Sequence, residues 1–386
     1  MKLVGWALKG LHWSESQSKW LQRIGLATAL LWNLYLWWRD QGRLAQTRTF
    51  KPLGLPQESA KPLVSILIPA WNESSNIDAC LENILHLRYP YKQVIVCAGG
   101  NDDTLVHASK YASQQVIVLE QHPGDGKQIS LRRAYSQATG SIIFLTDADC
   151  LLDDNCFERT LAPVLVSGEA VCSGSWRPLA SQINHPLVRH HFSYHVYREL
   201  YMGEYAPSLD GRNAAIRRTV LDDVGAFILD VPTGTDYVLS RQLEAGGYSI
   251  RFASGSQVQT EYPQTMSAYR QQISRWFRTP LILGWQWNQW RSVASVLWAG
   301  ATSLLMLLSL PLWILSKCKI LRAVWFSSIA HLLMSSFRMV HHLNKVEATG
   351  CHIRDYLHSI LYLPLDWLAM STGLKDALHK HNRDTW

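Results

Sequence analysis

Asp147-Ala148-Asp149 stands directly behind the short apolar run SIIFLT, residues 141–146. Two carboxylates at the end of a buried strand can hold a hard divalent cation with few protein ligands, diphosphate oxygens filling the other positions. The alternatives are a solvated acidic loop or an Asp cap for a following helix. Burying a strand end beside paired charges is costly unless something compensates them, which favours the cation. Four further clusters carry chemistry. Pro69-Ala70-Trp71-Asn72-Glu73 follows the first apolar run, where a doubly wound sheet holds a nucleotide; Asn72 or Ser74 could equally cap a helix there. Gly124-Asp125-Gly126-Lys127 opens a helical stretch, and a lysine at a helix start can meet a phosphate. The GxxxxGK[ST] spacing of a P-loop is absent, and an exposed lysine in a turn is the plainer reading. Thr233-Gly234-Thr235-Asp236 precedes a helical Tyr237–Ala245, where an Asp is either a cap or a base. Gln272 and Arg275 in Gln272-Ile273-Ser274-Arg275-Trp276 lie three apart and share a helix face.

The elements that must position these residues follow from the apolar pattern. VSILIP (64–69), QVIVCA (93–98), QVIVLE (115–120) and SIIFLT (141–146) are short, β-branched and bounded by turn residues, which predicts buried parallel strands. Helical patterns over 75–87, 103–112 and 126–138 alternate with them. That order implies a doubly wound α/β domain with ligands at the strands' carboxyl ends.

The 386 residues leave room for more than this domain. The chain is 47% apolar, only 17% charged, and holds 17 tryptophans, which excludes disorder, collagen-like repeats and a disulfide mini-fold. The net charge of +7 suits an anionic membrane face or anionic ligands and is too diffuse for nucleic acid. Seven scattered cysteines without a CxxC pair favour a reducing compartment over a zinc site or disulfide framework. Trp20–Trp38, with Arg23 near its start and aromatics at its end, predicts a membrane span. Arg39, Arg43, Arg48 and Lys51 then put the following domain on the cytoplasmic side, against which Lys2, Lys9 and Lys19 lie before the span. Residues 52–62 hold three prolines and read as a linker. The catalytic domain is expected over 63–267. An interfacial helix rich in arginine and tryptophan follows over 268–291, then a membrane region over 292–386 with two or three helices. Val293–Leu315 is the strongest of these, Ile320–Val340 and Tyr356–Leu374 the weaker.

In order and spacing, PxWNE, GK, DxD, TD and QxxRW together resemble the membrane-bound family 2 glycosyltransferases of GT-A fold, the nucleotide-diphospho-sugar transferases that include ceramide glucosyltransferases and cellulose- and hyaluronan-synthase-like enzymes. The resemblance covers about residues 60–290. Gly211-Arg212-Asn213-Ala214-Ala215-Ile216-Arg217-Arg218 matches the family's G-x-N-x-x-x-R-R segment, and Thr260-Glu261-Tyr262-Pro263-Gln264-Thr265 lies just ahead of QxxRW. The resemblance implies that Glu73 and the segment around Asp102 hold the nucleoside, that Lys127 meets the diphosphate, and that Asp149 with Asp147 holds Mg²⁺ or Mn²⁺ on it. It makes Asp236 the general base, with Gln272, Arg275 and Trp276 closing over the donor near the acceptor. Two departures stand out. The Asp-Asp pair usual just after the second strand is displaced to Asp102-Asp103 behind Gly99-Gly100, which leaves the donor base open, and Thr235 replaces the glutamate usual before the base.

Such a site implies a single inverting displacement: cations stabilise the departing diphosphate and Asp236 takes the proton of the attacking hydroxyl. The flanking helices make a thin channel for a polymer, which favours a lipid acceptor such as a diacylglycerol, sphingolipid, hydroxylated isoprenoid or carotenoid over a growing polysaccharide. A membrane-anchored nucleotide-sugar sensor would lack a catalytic carboxylate, whereas Asp147, Asp149 and Asp236 are all present. A nucleotidyltransferase would not need QxxRW beside membrane helices.

Overall fold

The computed structural model describes residues 15–47, 53–57, 61–231, 233–315, 319–347 and 352–378. Helix α1 (Glu15–Thr47) precedes an α/β body built of β1 (Val64–Trp71), α2 (Ile77–Leu85), β2 (Lys92–Gly99), α3 (Thr104–Ser109), β3 (Val116–Glu120), α4 (Gly126–Ser136) and β4 (Ile142–Leu145). The chain continues through β5 (Cys150–Leu151), α5 (Asp154–Val166), β6 (Val171–Pro178), α6 (Pro186–Leu200), β7 (Tyr205–Ala206), β8 (Ala214–Arg217), α7 (Arg218–Asp223), α8 (Thr235–Ala245) and β9 (Ile250–Thr260). Four helices close it: α9 (Met266–Gln286), α10 (Trp290–Leu315), α11 (Lys319–Val346) and α12 (Ile353–Leu378).

The strands form one sheet in the order β3-β2-β1-β4-β8-β6-β9-β5, with β7 also on β9. The first four are parallel, as their continuous apolar runs require, because both faces are covered. Val64, Ile66, Ile68, Ala70, Val94, Val96 and Phe144 enter the core on one face. Leu67, Ile95, Ile143 and Leu145 enter it on the other, the alternation of a pleated strand. Beyond β4 the sheet is mixed. β8 runs antiparallel to β4 and β6, while β6 and β9 are parallel with a register shift between Ser173 and Ser175.

The flanking transmembrane helices expected from the sequence are not borne out: among the described residues no helix is long and apolar enough to cross a membrane. Two of the expected spans hold polar side chains engaged with neighbouring helices. The span read over Trp20–Trp38 lies inside α1, where buried Asn33 donates to Ala29 O at 2.7 Å and meets His331 Nδ1 of α11 at 3.0 Å. Two residues beyond Trp38, Asp40 accepts from Arg338 Nε at 2.8 Å, and both side chains are buried. The run over Tyr356–Leu374 holds Asp366, bonded to His190 and Tyr269. The run Val293–Leu315 is helical within α10, but its side chains at 305 and 308–315 lie outside the described residues, as do those at 319–324 of α11.

Candidate active site

The carboxyl ends of β1, β2 and β4 open onto one rim. At the end of β1, Asn72 takes a left-handed backbone (φ 58°) and its Oδ1 accepts from Asn101 N at 2.7 Å. It therefore caps the turn after β2 and not a helix; the residue preceding α2 is Asn76, whose side chain makes no cap bond. The glycines of that turn are required by close approach. A Cβ at Gly100 would lie 2.3 Å from Asn72 Oδ1, and one at Gly99 would lie 2.2 Å from Gln121 O. Asp102 ties the turn shut, accepting from Ser74 N at 3.1 Å, Thr104 N at 3.1 Å and Thr104 Oγ1 at 2.5 Å. Burial opposes its charge, but the bonds from Thr104 and Ser74 outweigh it and hold the carboxyl down at about 2. Glu73 goes the other way. Burial pushes its carboxyl up to about 7; the Asn76 amide, 2.9 Å away, resists this, and the charges of Asp149, Asp147 and Glu261 reinforce it.

Lys127 enters from the first turn of α4, which begins at Gly126 (φ 61°). Its Nζ lies 2.6 Å from Asp147 Oδ1 and 3.8 Å from Asp236 Oδ1. Burial alone would lower this ammonium's pKa, yet the two carboxylates raise it, so Lys127 is a fixed cation and not an exposed turn lysine. Asp147 Oδ2 faces Arg212 Nε at 3.8 Å. Asp149 meets neutral donors only: Thr260 Oγ1 at 2.9 Å and Cys150 Sγ at 3.4 Å.

Asp236 sits in the first turn of α8, and the cap position belongs to Gly234 (φ 78°), so the carboxylate does not cap the helix. It faces Lys127 and the backbone of Gly211, where a Cβ would fall 2.2 Å from Asp236 Oδ1. Gly234 is needed as well, because its Cβ would press on Thr279 and Leu283 of α9. The helix that carries Gln272, Arg275 and Trp276 thus packs directly on the start of α8. Gln272 Oε1 is buried and without a partner among the described residues. Arg275 makes no ion pair there either; burial and the neighbouring Arg212 lower its pKa, with Asp147 and Asp236 pulling the other way.

The structure brings Lys127, Asp147, Asp149, Asp236 and Arg275 to one place, with Glu73 at the rim, while Asp102 serves the loop behind it. Arg212 and Asp210 are further members of this cluster, with no role expected from the motifs. Arg212 is buried, stacks at 4.9 Å over the Trp176 ring, and is raised in pKa by Asp210, Asp147 and Asp149 against the opposing effect of burial. Burial, partly offset by Arg212, holds Asp210 up at about 6. The one signal for them was Gly211, a glycine in a non-repetitive segment that makes room for a carboxylate.

Among the described residues no three His, Cys, Asp or Glu side chains converge to enclose a metal ion. Two hard carboxylates at the mouth of a cationic cleft fit Mg²⁺ or Mn²⁺ that keeps most of its positions for substrate oxygens.

The sequence profile described as glycosyltransferase-like family 2 matches residues 61–279. The glycosyltransferase AglE of Haloferax volcanii is 26% identical over 206 residues, 50% of this chain and 66% of that one. A probable glycosyltransferase of Bacillus subtilis, YdaM, is 24% identical over 279 residues, 66% of this chain and 64% of that one. The poly-beta-1,6-N-acetyl-D-glucosamine synthase of Staphylococcus aureus is 22% identical over 232 residues, 55% of this chain and 53% of that one. The matched stretch spans less than two thirds of each relative's length. Among solved structures, the mannosyltransferase PcManGT of Pyrobaculum calidifontis, in complex with GDP-Man and Mn²⁺, is similar in fold. Its TM-score is 0.54 at 18% identity, covering 94% of this chain and 99% of that one.

Proposed function

The chain belongs to glycosyltransferase-like family 2, and from that premise we propose that it transfers a sugar from a nucleotide-diphosphate donor to a hydroxyl of a lipid acceptor at the cytoplasmic face of a membrane. The observation that carries the reading is the placement of Asp236 beside Lys127 and Asp147 at the strands' carboxyl ends. Lys127, Arg212 and Arg275 set three cations where the leaving diphosphate gains charge, and buried cations act strongly there because little water screens them. Asp149 with Asp147 would hold Mg²⁺ or Mn²⁺, which would supply further positive charge to the diphosphate. Asp236 is half-exposed, with room for an acceptor hydroxyl, and receives its proton as the new bond forms. No side chain is needed as a covalent nucleophile, so the displacement is single and inverting. Glu73, beside the turn that Asp102 closes, faces the nucleoside end.

The lipid acceptor rests on the helical flank. Trp285, Trp290, Leu297 and Trp298 are exposed next to Arg291, and so are Leu31, Trp32, Leu34 and Trp38 of α1. Exposed apolar surface on this scale needs an apolar partner, and the net positive charge suits anionic headgroups. A growing polysaccharide is the second reading, favoured by the similarity to the poly-beta-1,6-N-acetyl-D-glucosamine synthase. A nucleotide-sugar sensor is disfavoured because every carboxylate and cation that the chemistry needs stands in place.

The test is a panel of radiolabelled UDP- and GDP-sugars, incubated with the purified full chain, Mn²⁺ or Mg²⁺ and a total lipid extract. Label extractable into chloroform supports the lipid acceptor, and label in an insoluble polymer supports the polysaccharide. Neither transfer nor hydrolysis of any donor would end the enzymatic reading, and full turnover in excess EDTA would end the metal's role.

A further inference from the structure

Helix α6 carries three histidines, His190, His191 and His195, and its inward face is chemically odd. His191 and His195 are four residues apart and share that face. Both are almost fully buried, at 1% and 4% exposure. Among the described residues neither nitrogen of His191 has a hydrogen-bond partner, and Nε2 of His195 has none. Only His195 Nδ1 is engaged, sharing a hydrogen bond with Tyr262 Oη at 2.6 Å. A buried polar atom left unpaired is destabilising, so leucine or phenylalanine would serve packing better here. Stability alone does not explain two imidazoles at these positions.

Their surroundings do. The two rings lie 4.6 Å apart, and the Trp276 indole stands 5.5 Å from each. Trp176, whose ring carries the Arg212 guanidinium, meets His195 edge-on at 4.5 Å and Trp276 at 6.1 Å. An imidazole can present an N–H or a ring edge to an indole, giving the pair an orientation that aliphatic packing lacks.

We propose that His191 and His195 are positioning residues for Trp276, two imidazoles on one face of α6 that fix the plane of the indole where the acceptor meets the donor sugar. The inference rests on the transferase reading of the site. Burial keeps both rings uncharged, lowering the His191 pKa to about 3 and that of His195 well below the ordinary range, so the clamp holds at any working pH. The opposite side of α6 supplies the anchor. His190 Nε2 meets the Asp366 carboxylate at 3.0 Å, and Arg189 bonds Asp355 at 2.7 Å and Asn344 at 2.8 Å. A functional side chain is held best when its supports are themselves locked, and here α11 and α12 lock α6.

The test is a double-mutant cycle in the full chain, with a fluorine readout that needs no activity. His195→Ala is expected to lower kcat about 10-fold, with the donor KM within about twofold, because a misplaced indole costs the oriented complex and not donor binding. His195→Phe, which restores a ring edge but no N–H, is expected to recover only part of the loss, and full recovery would return His195 to packing. In a Trp276→Ala background His195→Ala should cost nothing more, whereas a merely structural role adds its full cost again. Separately, 5-fluorotryptophan labelling gives a Trp276 resonance, identified by its loss in Trp276→Phe, that should shift or broaden in His195→Ala. An additive cycle or an unmoved resonance overturns the proposal. If His195→Ala does not fold, His191→Ala in the same cycle decides. A resonance that moves in a protein that processes no nucleotide sugar refutes the transferase reading and leaves the clamp standing.

Discussion

Replacing Gly211 with alanine tests the role of Asp236 without touching its carboxylate. The glycine lies in the turn where Asn213 N bonds Asp210 O, just before β8. Its backbone is not among those at positive φ, so alanine is conformationally allowed. The added Cβ would fall 2.2 Å from Asp236 Oδ1 and 2.8 Å from its Cγ, closer than real Cβ contacts come. Helix α8 has little freedom to retreat. Gly234 at its start abuts Thr279 and Leu283, and Ser240 Oγ bridges Asp236 O to Leu209 N at 2.6 and 2.8 Å. The displacement of about 1 Å therefore falls on the carboxylate, and a misplacement of that size costs about 10²-fold in rate. The fold loses about 1–3 kcal/mol from overpacking, a fall of a few degrees in Tm. Donor affinity should change little, because Lys127 keeps its 2.6 Å contact with Asp147. Nucleotide release at saturating substrates, donor titration by calorimetry and thermal unfolding on one preparation give the three quantities. Turnover within about threefold of the parent would refute Asp236 as a base whose position matters.

Asp236→Asn is expected to leave Tm unchanged, since the carboxylate caps nothing, and to lower kcat by about 10²–10⁴ in single-turnover measurements. Glu73 is raised from its ordinary 4.5 to about 7, so the stability from its protonated form is complete below 4.5 and lost as pH rises through 7. Glu73→Gln, always neutral, should therefore match the parent in acid and exceed its Tm by about 2–4 °C at about pH 8, read by differential scanning calorimetry. Arg338→Met leaves Asp40 charged and buried and should cost about 3–5 kcal/mol in chemical denaturation, most of it recovered in Asp40→Asn/Arg338→Met.

The parallel half of the sheet was legible because its strands are buried on both faces and read as continuous apolar runs. The strands of the mixed half were not: β8 is four residues long and β5 and β7 two each, too short to show a period, while β6 and β9 are longer but broken by glycine and polar residues. In the site, Asp147, Asp149 and Lys127 were legible because each stands at a fixed offset from a strand or helix start. Asp102 was legible as a residue but not as the closure of its own loop, since its partners Ser74 and Thr104 lie on two different connections. Arg212 and Asp210 belong to a turn without periodicity, and the G-x-N-x-x-x-R-R segment that holds Arg212 leaves its position open, so nothing gave either a role. The apolar run at Trp20–Trp38 showed the helix but not its partners, because hydropathy counts composition. It does not register that Asn33 finds a partner in α11, or that Asp40 just beyond it pairs with Arg338.

Helix α9 explains why the α/β body and the helical flank must come together. Its first turns carry Gln272, Arg275 and Trp276 into the cleft, and its middle packs on the start of α8 through Gly234. On the flank side, a Cβ at Gly373 of α12 would fall 2.7 Å from Ser274 O and 2.9 Å from Phe277 Cβ, so α9 and α12 meet backbone to backbone. Close contacts of this kind do not slide without loss, because packed interiors are dense. A displacement of α12 is therefore passed to Arg275 and Trp276 directly through α9, and to Trp276 again through Asp366, His190 and the imidazoles of α6. Two routes that share Asp366 converge on the indole, while Asp147 and Asp149 stand at the end of β4, with Lys127 of α4 and Thr260 of β9 against them. Trp276 is thus tied to the helical flank by α6 and α9 together, and the donor end through α9 alone, by Arg275 and by the packing of α9 on the start of α8.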